Sequence, residues 1–272
     1  EAVRDLLSAY NDKKIALVPT MGYLHEGHMA LIEKAKSEAD IVAVSIFVNP
    51  LQFGPDEDYD TYPRDLARDL EICEESGVDV VFHPDVEEMY PGEMEFKIGI
   101  ESMADILDGL KRPGHFEGVV TVVSKLFNII RPDVAVFGQK DRQQLMIIER
   151  YVHDFNVPVE IVGIPTARDE SGLAKSSRNV NLTAVELDEA AEINRALLQA
   201  EAEIKKGDSH ADKVKSFIRL HIDQHTSGEV DDLEIYTADG LKSVEYIKED
   251  VIIFIAVQFS KARLIDNLYV NL

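Results

Sequence analysis

Through the first two-thirds of the chain, short apolar runs alternate with longer amphipathic stretches. Residues 15–19, 41–48, 78–82, 134–137 and 159–163 are near-continuous apolar runs, the pattern of parallel strands covered on both faces. Between them, residues 29–39, 64–76, 119–130 and 141–155 carry apolar side chains at three- and four-residue spacing and predict crossover helices. This alternation predicts an α/β fold with a doubly wound parallel sheet. From about residue 167 the pattern becomes a polar loop, two long helices over 184–206 and 212–225, and strands near 233–236, 251–257 and 264–270. The expectation is a smaller α+β C-terminal domain, with the chain divided into residues 1–166 and 167–272.

In a doubly wound sheet the ligand crevice lies beyond the carboxyl ends of the strands, so the segments after each strand carry most weight. Three of them are polar and contain glycine. Thr20-Met21-Gly22-Tyr23-Leu24-His25-Glu26-Gly27-His28 follows the first strand, Asn49-Pro50-Leu51-Gln52-Phe53-Gly54 the second, and Gly138-Gln139-Lys140-Asp141 the fourth. They are expected to converge on one edge.

Composition narrows the ligand. With 45% hydrophobic and 29% charged residues the chain is ordinary globular material. Its 28 Lys and Arg stand against 51 Asp and Glu, a formal net charge of −23 that repels polyanions. Nucleic acid is therefore not an expected partner, whereas a single nucleotide needs only a few local donors and a helix N-terminus. Cys73 is the only cysteine, which rules out an intramolecular disulfide and a cysteine-built zinc site and fits a reducing compartment. It falls on the apolar stripe of an amphipathic stretch and reads as buried filler. No run approaches the roughly 20 apolar residues of a membrane span, and a cytoplasmic protein is expected.

His25-Glu26-Gly27-His28 puts two imidazoles three residues apart at a strand-to-helix junction. Free N–H groups and the positive end of the helix dipole attract an anion there, and the glycines admit close backbone approach. Zinc is the competing ligand. A helical zinc-protease motif, however, spaces its histidines four apart, and no third ligand lies nearby in sequence. Neither a P-loop nor a G-x-G-x-x-G pattern is present. Lys175-Ser176-Ser177-Arg178 forms a second group of donors, read as a mobile loop able to clamp a triphosphate opposite the histidines.

These two motifs resemble the HIGH and KMSKS-type signatures of the adenylate-forming nucleotidyltransferase superfamily. Together with the blocks Phe47-Val48-Asn49-Pro50-Leu51-Gln52-Phe53, Phe137-Gly138-Gln139-Lys140-Asp141-Arg142-Gln143-Gln144-Leu145 and Gly172-Leu173-Ala174-Lys175-Ser176-Ser177-Arg178-Asn179, in this order, the sequence resembles the pantothenate synthetase family over nearly its whole length. The resemblance implies a Rossmann-like nucleotidyltransferase core that binds nucleotide and pantoate, with the C-terminal domain as a lid. It also implies ATP-dependent condensation of pantoate with β-alanine through a pantoyl adenylate, with release of pyrophosphate and AMP.

By the same resemblance Met21, Gly22, Tyr23, Leu24, His25, Glu26, Gly27, His28, Gly138, Gln139, Lys140, Asp141 and the backbone of Ala167 would contact ATP, together with Lys175, Ser176, Ser177 and Arg178. His25 and His28 would stabilise charge on the transferred phosphoryl group, His28 as the proton donor, while Lys140, Ser176, Ser177 and Arg178 would neutralise pyrophosphate. Gln52, Gln144 and Asn49 would hold pantoate. Asp69 is the candidate ligand for Mg²⁺, with a solvated helix face as the alternative. The resemblance further implies a homodimer. Residues 111–118, a Gly- and Pro-marked loop ahead of a helix, are read independently of it either as lying over the substrate or as an ordinary surface loop. Gln139 and Lys175 depart from the family's commoner residues. Three alternatives are another small-molecule nucleotidyltransferase of the superfamily, a tRNA synthetase-like protein, and a nucleotide-binding regulator without catalysis.

Overall fold

A computed structural model describes residues 2–55, 57–207 and 210–272. The chain divides into two compact units, Glu1–Pro165 and Thr166–Leu272.

The first unit contains five parallel strands: β1 (Ile15–Thr20), β2 (Ile41–Ile46), β3 (Val80–Phe82), β4 (Val134–Gly138) and β5 (Glu160–Ile164). Their order is β3-β2-β1-β4-β5. β1 is central and pairs with β2 on one side and β4 on the other, so the direction of strand progression reverses between β1 and β4. The helices are α1 (Ala2–Ser8), α2 (Glu26–Glu38), α3 (Leu66–Glu75), α4 (Val86–Met89), α5 (Leu107–Lys111), α6 (His115–Ile130) and α7 (Arg142–Asp154).

Alternate residues of each strand serve opposite layers, as the two-residue strand period requires. Ile15, Leu17, Ile41, Ala43, Ala135 and Phe137 face Leu126, Phe127 and Ile130 of α6 and Leu145 and Ile148 of α7. Ala16, Val18, Val42, Val44, Val134 and Val136 face Leu31, Ile32 and Ala35 of α2 and Cys73 of α3. Both layers are apolar because both faces are covered. Cys73 is accordingly buried filler, and burial first, then the nearby Asp69 carboxylate, pushes its thiol up to about 11. It stays protonated at neutral pH.

The second unit packs α8 (Ala184–Lys205) and α9 (Ala211–His225) on an antiparallel sheet of β6 (Glu229–Thr237), β7 (Val251–Gln258) and β8 (Arg263–Val270) in the order β6-β7-β8. Ile193, Leu197, Ile218 and Ile222 meet Leu233, Ile253, Ile255 and Val257 in its core. Thr183 caps α8 in a reciprocal capping box with Glu186. No helix among the described residues is long and apolar enough to cross a membrane.

Two expectations change here. The segment 111–118 is not a loop throughout: Lys111 closes α5, and His115, Phe116, Glu117 and Gly118 already belong to the first turn of α6. The segment 175–178 is hydrogen-bonded rather than loose. Arg168 pairs with Ala174 in a short antiparallel bridge, Lys175 N–H donates to the Ala167 carbonyl at 2.9 Å, and Ser176 caps a 3₁₀ turn over Ser177–Asn181.

Candidate active site

The reversal of strand order places the ends of β1 and β4 side by side, where an open α/β sheet leaves a crevice. After β1 the chain turns sharply through two residues of positive φ, Gly22 at 81° and Tyr23 at 52°. Asp69 of α3 holds that turn. Its two carboxylate oxygens accept the Tyr23 and Leu24 backbone N–H groups, each at 2.7 Å, and the residue is only 1% exposed. Thr20 adds a second tie, its hydroxyl donating to the Ser45 carbonyl at 2.7 Å and accepting from Gly22 N–H at 3.1 Å.

The turn delivers the histidines to the start of α2. His25 is the N-cap, and its Nδ1 accepts the Gly27 N–H at 3.1 Å, while His25 N–H donates to His28 Nδ1 at 3.2 Å. The two imidazoles thus act as a reciprocal capping box, a job usually done by Ser or Thr with Glu. One chemical consequence is immediate. A nitrogen that accepts a backbone N–H carries no proton, so each neutral ring holds its hydrogen on Nε2. The rings lie with centroids 4.1 Å apart.

His28 is further constrained. Burial, then His25, hold its pKa down at about 3, with Asp141 opposing them and Lys140 adding a smaller lowering effect. It is neutral at pH 7, so it offers a hydrogen bond from Nε2–H rather than a proton. The Lys140 and Asp141 effects also place the turn after β4 beside this ring. That turn, Gln139–Asp141, is a 3₁₀ segment following Gly138, which ends β4 opposite Ile164. Lys140 Nζ donates to Asp141 Oδ1 at 3.4 Å, and Gln139 packs over Gly163. Met21 and Tyr23 are half-buried in the same turn, and Glu26 is exposed in the first turn of α2.

The segment after β2 is built around Asn49. Its Nδ2 donates to Gln52 Oε1 and to the Gly118 carbonyl, both at 3.1 Å, while its Oδ1 accepts Leu51 N–H at 3.3 Å and the Tyr90 hydroxyl at 2.8 Å. Two donors and two lone pairs are all an amide side chain has. Asn49, expected to touch substrate, is therefore fully engaged within the protein and 1% exposed. Gln52 keeps capacity: Oε1 is taken by Asn49, and among the described residues Nε2 meets only the weak acceptor Met21 Sδ at 3.3 Å. Among the adjacent glutamines of α7 the roles are split. Gln143 ties down residues 103–108 through Met103 O, Ile106 O and Asp108 N, whereas Gln144 is half-buried in the first turn.

Asp69 also differs from expectation. It is not a solvated helix residue: it is 1% exposed, and each of its two oxygens accepts a backbone N–H. Among the described residues no group of three or more His, Cys, Asp or Glu could hold a metal ion.

In the second unit, Asp169 organises the hairpin before Lys175 by accepting Ser171 N–H at 2.9 Å and Leu173 N–H at 3.1 Å. Arg168 binds Asp266 through two hydrogen bonds of 2.6 and 2.8 Å and the Gly172 carbonyl at 3.1 Å. Ser176 Oγ accepts Arg178 N–H at 3.3 Å, Ser177 is buried, and Lys175 and Arg178 are half-exposed. Sequence reading missed Tyr90, Gln143 and Thr20. Their partners are distant or on the backbone, and no local pattern marks them.

Fold and loops together define an α/β chain of the doubly wound class, with imidazole and lysine donors suited to an anion gathered at the strand-order reversal. A family model described as pantoate–β-alanine ligase matches residues 1–269. The chain belongs to that family. It is 49% identical over 260 residues to a pantothenate synthetase of Geobacillus thermodenitrificans, covering 96% of this chain and 90% of that one. It is 47% identical to a pantothenate synthetase of Geobacillus kaustophilus over 100% of this chain and 91% of the relative. Among solved structures, a pantothenate synthetase of Thermus thermophilus superposes with TM-score 0.94 at 43% identity over 99% and 98% of the two chains. A pantoate–β-alanine ligase of Francisella tularensis, complexed with beta-gamma ATP and β-alanine, does so with TM-score 0.80 at 37% identity over 98% and 94%.

Proposed function

We propose that this chain condenses pantoate with β-alanine at the cost of ATP, by way of an enzyme-bound pantoyl adenylate. The observation that carries the reading is the histidine capping box at the β1/β4 reversal, which fixes two Nε2–H donors beside Lys140. In the first step a pantoate carboxylate oxygen attacks the α-phosphorus and the bond to pyrophosphate breaks. In the second, the β-alanine amine attacks the activated carbonyl, AMP leaves with the C–O bonding pair, and the nitrogen loses its proton. Activation is required because a free carboxylate is a poor electrophile, whereas AMP is a good leaving group.

The protein's part is positioning and charge stabilisation. His25 and His28 donate from Nε2 to phosphoryl oxygens, and the neutral state of His28 makes it a hydrogen-bond donor rather than the acid suggested by its position in the motif. Met21, Gly22, Tyr23, Leu24, Glu26, Gly27, Gly138, Gln139 and Asp141 shape the nucleotide site at the two strand ends. Lys140 balances phosphate charge, and Ala167, Lys175, Ser176, Ser177 and Arg178 are the further residues proposed to contact the nucleotide. Gln52 and Gln144 recognise pantoate, Gln52 through Nε2. Asp69 is committed to the Tyr23 and Leu24 N–H groups; Mg²⁺ would come with the nucleotide, held chiefly by phosphate and water. A homodimer belongs to the same reading and is checked by sedimentation velocity.

The test is exchange of labelled pyrophosphate into ATP. Exchange that requires pantoate, and AMP release that then requires an added amine, supports the reading. Retention of the nucleotide in the product would instead indicate another nucleotidyltransferase chemistry.

A further inference from the structure

The segment 111–118 joins α5 to α6 and is heavily engaged. His115, 8% exposed, donates from Nδ1 to the Gln52 carbonyl at 2.7 Å and accepts at Nε2 from Arg112 Nη1 at 3.1 Å. Arg112 Nη2 also reaches the Gln52 carbonyl at 3.4 Å, and its Nε and Nη2 are held by the two carboxylate oxygens of Glu57, the former at 2.9 Å. Gly118, one helical turn further on, lets the backbone of residues 51 and 52 lie directly on α6: a Cβ there would stand 2.2 Å from Leu51 O and 2.7 Å from Gln52 N. Its carbonyl receives Asn49 Nδ2, the same amide nitrogen that fixes Gln52 Oε1.

We infer that His115 and Arg112 are positioning residues for pantoate recognition, holding the Gln52 main chain on the start of α6 so that its amide presents Nε2–H to the acid. The inference rests on the reading that Gln52 contacts pantoate. Three residues at three-residue spacing, 112, 115 and 118, form the seat. Asn49 sets the polarity of the side chain by occupying Oε1, and the seat sets where the backbone stands. Burial, then Arg112, keep the His115 ring neutral with a pKa of about 4, so one nitrogen donates while the other accepts throughout the neutral range. Glu57 offsets the Arg112 charge: burial, the largest single effect, raises its carboxyl, but the Arg112 hydrogen bond and charge together with His115 and the Gly54 N–H hold it below its ordinary value, so it remains ionised. None of these three side chains needs to touch substrate.

The experiment is a steady-state cycle with pantoate, β-alanine and MgATP varied in turn, on Gln52→Ala, His115→Phe, His115→Asn, Arg112→Met and the double variants His115→Phe/Gln52→Ala and Arg112→Met/Gln52→Ala. Thermal unfolding of each identifies variants that fail to fold; Arg112→Met carries the test if His115→Phe does. The expected result is a pantoate KM raised about tenfold by His115→Phe and Arg112→Met, with the ATP KM changed less than about twofold, the order of a lost hydrogen bond to a charged group. His115→Asn, which keeps a donor near the Nδ1 position, restores most of the pantoate KM. In the Gln52→Ala background the second substitution adds nothing further, as required if it acts through Gln52. A pantoate KM unmoved by both single variants, or raised equally in both backgrounds, overturns the inference while leaving Gln52 as a substrate contact. A pantoate KM unmoved by Gln52→Ala removes the Gln52 reading itself, and the inference with it.

Discussion

Gly22 lies so close to Asp69 that a Cβ built on it would stand 2.8 Å from Asp69 Oδ2. The glycine is required twice over, since its φ of 81° is also one that side chains rarely adopt. Gly22→Ala should therefore destabilise the chain by about 1–3 kcal/mol and displace the carboxylate that holds the Tyr23 and Leu24 N–H groups. Asp69→Asn should reproduce the catalytic part of that defect, with adenylation at least about tenfold slower, as for loss of a charge-assisted hydrogen bond. The midpoint of a Mg²⁺ titration should stay where it is. Urea unfolding and single-turnover adenylation measure the two effects; a shifted Mg²⁺ midpoint in Asp69→Asn would restore the metal-ligand role.

Acid should weaken the fold through His28. An unfolded histidine titrates near its ordinary value of 6.5, whereas folded His28 stays neutral down to about 3. Between those values the unfolded chain binds the extra proton, so stability falls as pH falls through that window and is fully present above it. His28→Gln should flatten the dependence of Tm on pH between about pH 6 and 4 relative to the parent chain. Equal slopes for the two proteins would show that the ring is not held neutral.

Asn49 is expected to be more costly to remove than its distance from any charge suggests. Asn49→Ala takes a partner from the buried Gln52 Oε1 and Gly118 carbonyl and from the part-buried Tyr90 hydroxyl and Leu51 N–H. Unmet buried groups cost about 1–3 kcal/mol each before relaxation. A fall in Tm together with a raised pantoate KM is predicted, and Tyr90→Phe should lose only about 1 kcal/mol of stability. Calorimetry on the two variants checks the ranking.

In the second unit the ion pair of Arg168 with Asp266 is well enclosed, Asp266 being 5% exposed. Arg168→Met leaves that carboxylate buried without its cation and should cost about 3–5 kcal/mol. Asp266→Asn, which keeps an acceptor and drops the charge, should cost less. Chemical denaturation monitored by far-UV circular dichroism separates them.

The sheet was legible because its strands are apolar without interruption, which follows from helices covering both faces; residues 41–46 and 134–137 needed no further cue. The apolar period alone starts α2 three residues late, since histidine is an unusual N-cap and that period begins only at Met29. Pairings across the chain were not readable. Asp69 acts on residues 45 and 46 positions away, Tyr90 on one 41 away and Gly118 on one 69 away, and nothing local distinguishes these from solvated counterparts. Thus the donors of the proposed phosphate site were visible as motifs, while the side chains that hold them in place became visible only once the fold brought them together.

The strand that carries the histidine turn is flanked by a neighbour encoded soon after it and by another encoded more than a hundred residues later, Leu17 pairing with both Ala43 and Ala135. During synthesis that later edge must wait, its N–H and C=O groups exposed beside side chains that end fully enclosed. Such long-range closure slows folding and leaves an adhesive border open in the meantime. A nascent or truncated chain ending before residue 134 should therefore demand chaperone protection out of proportion to its length.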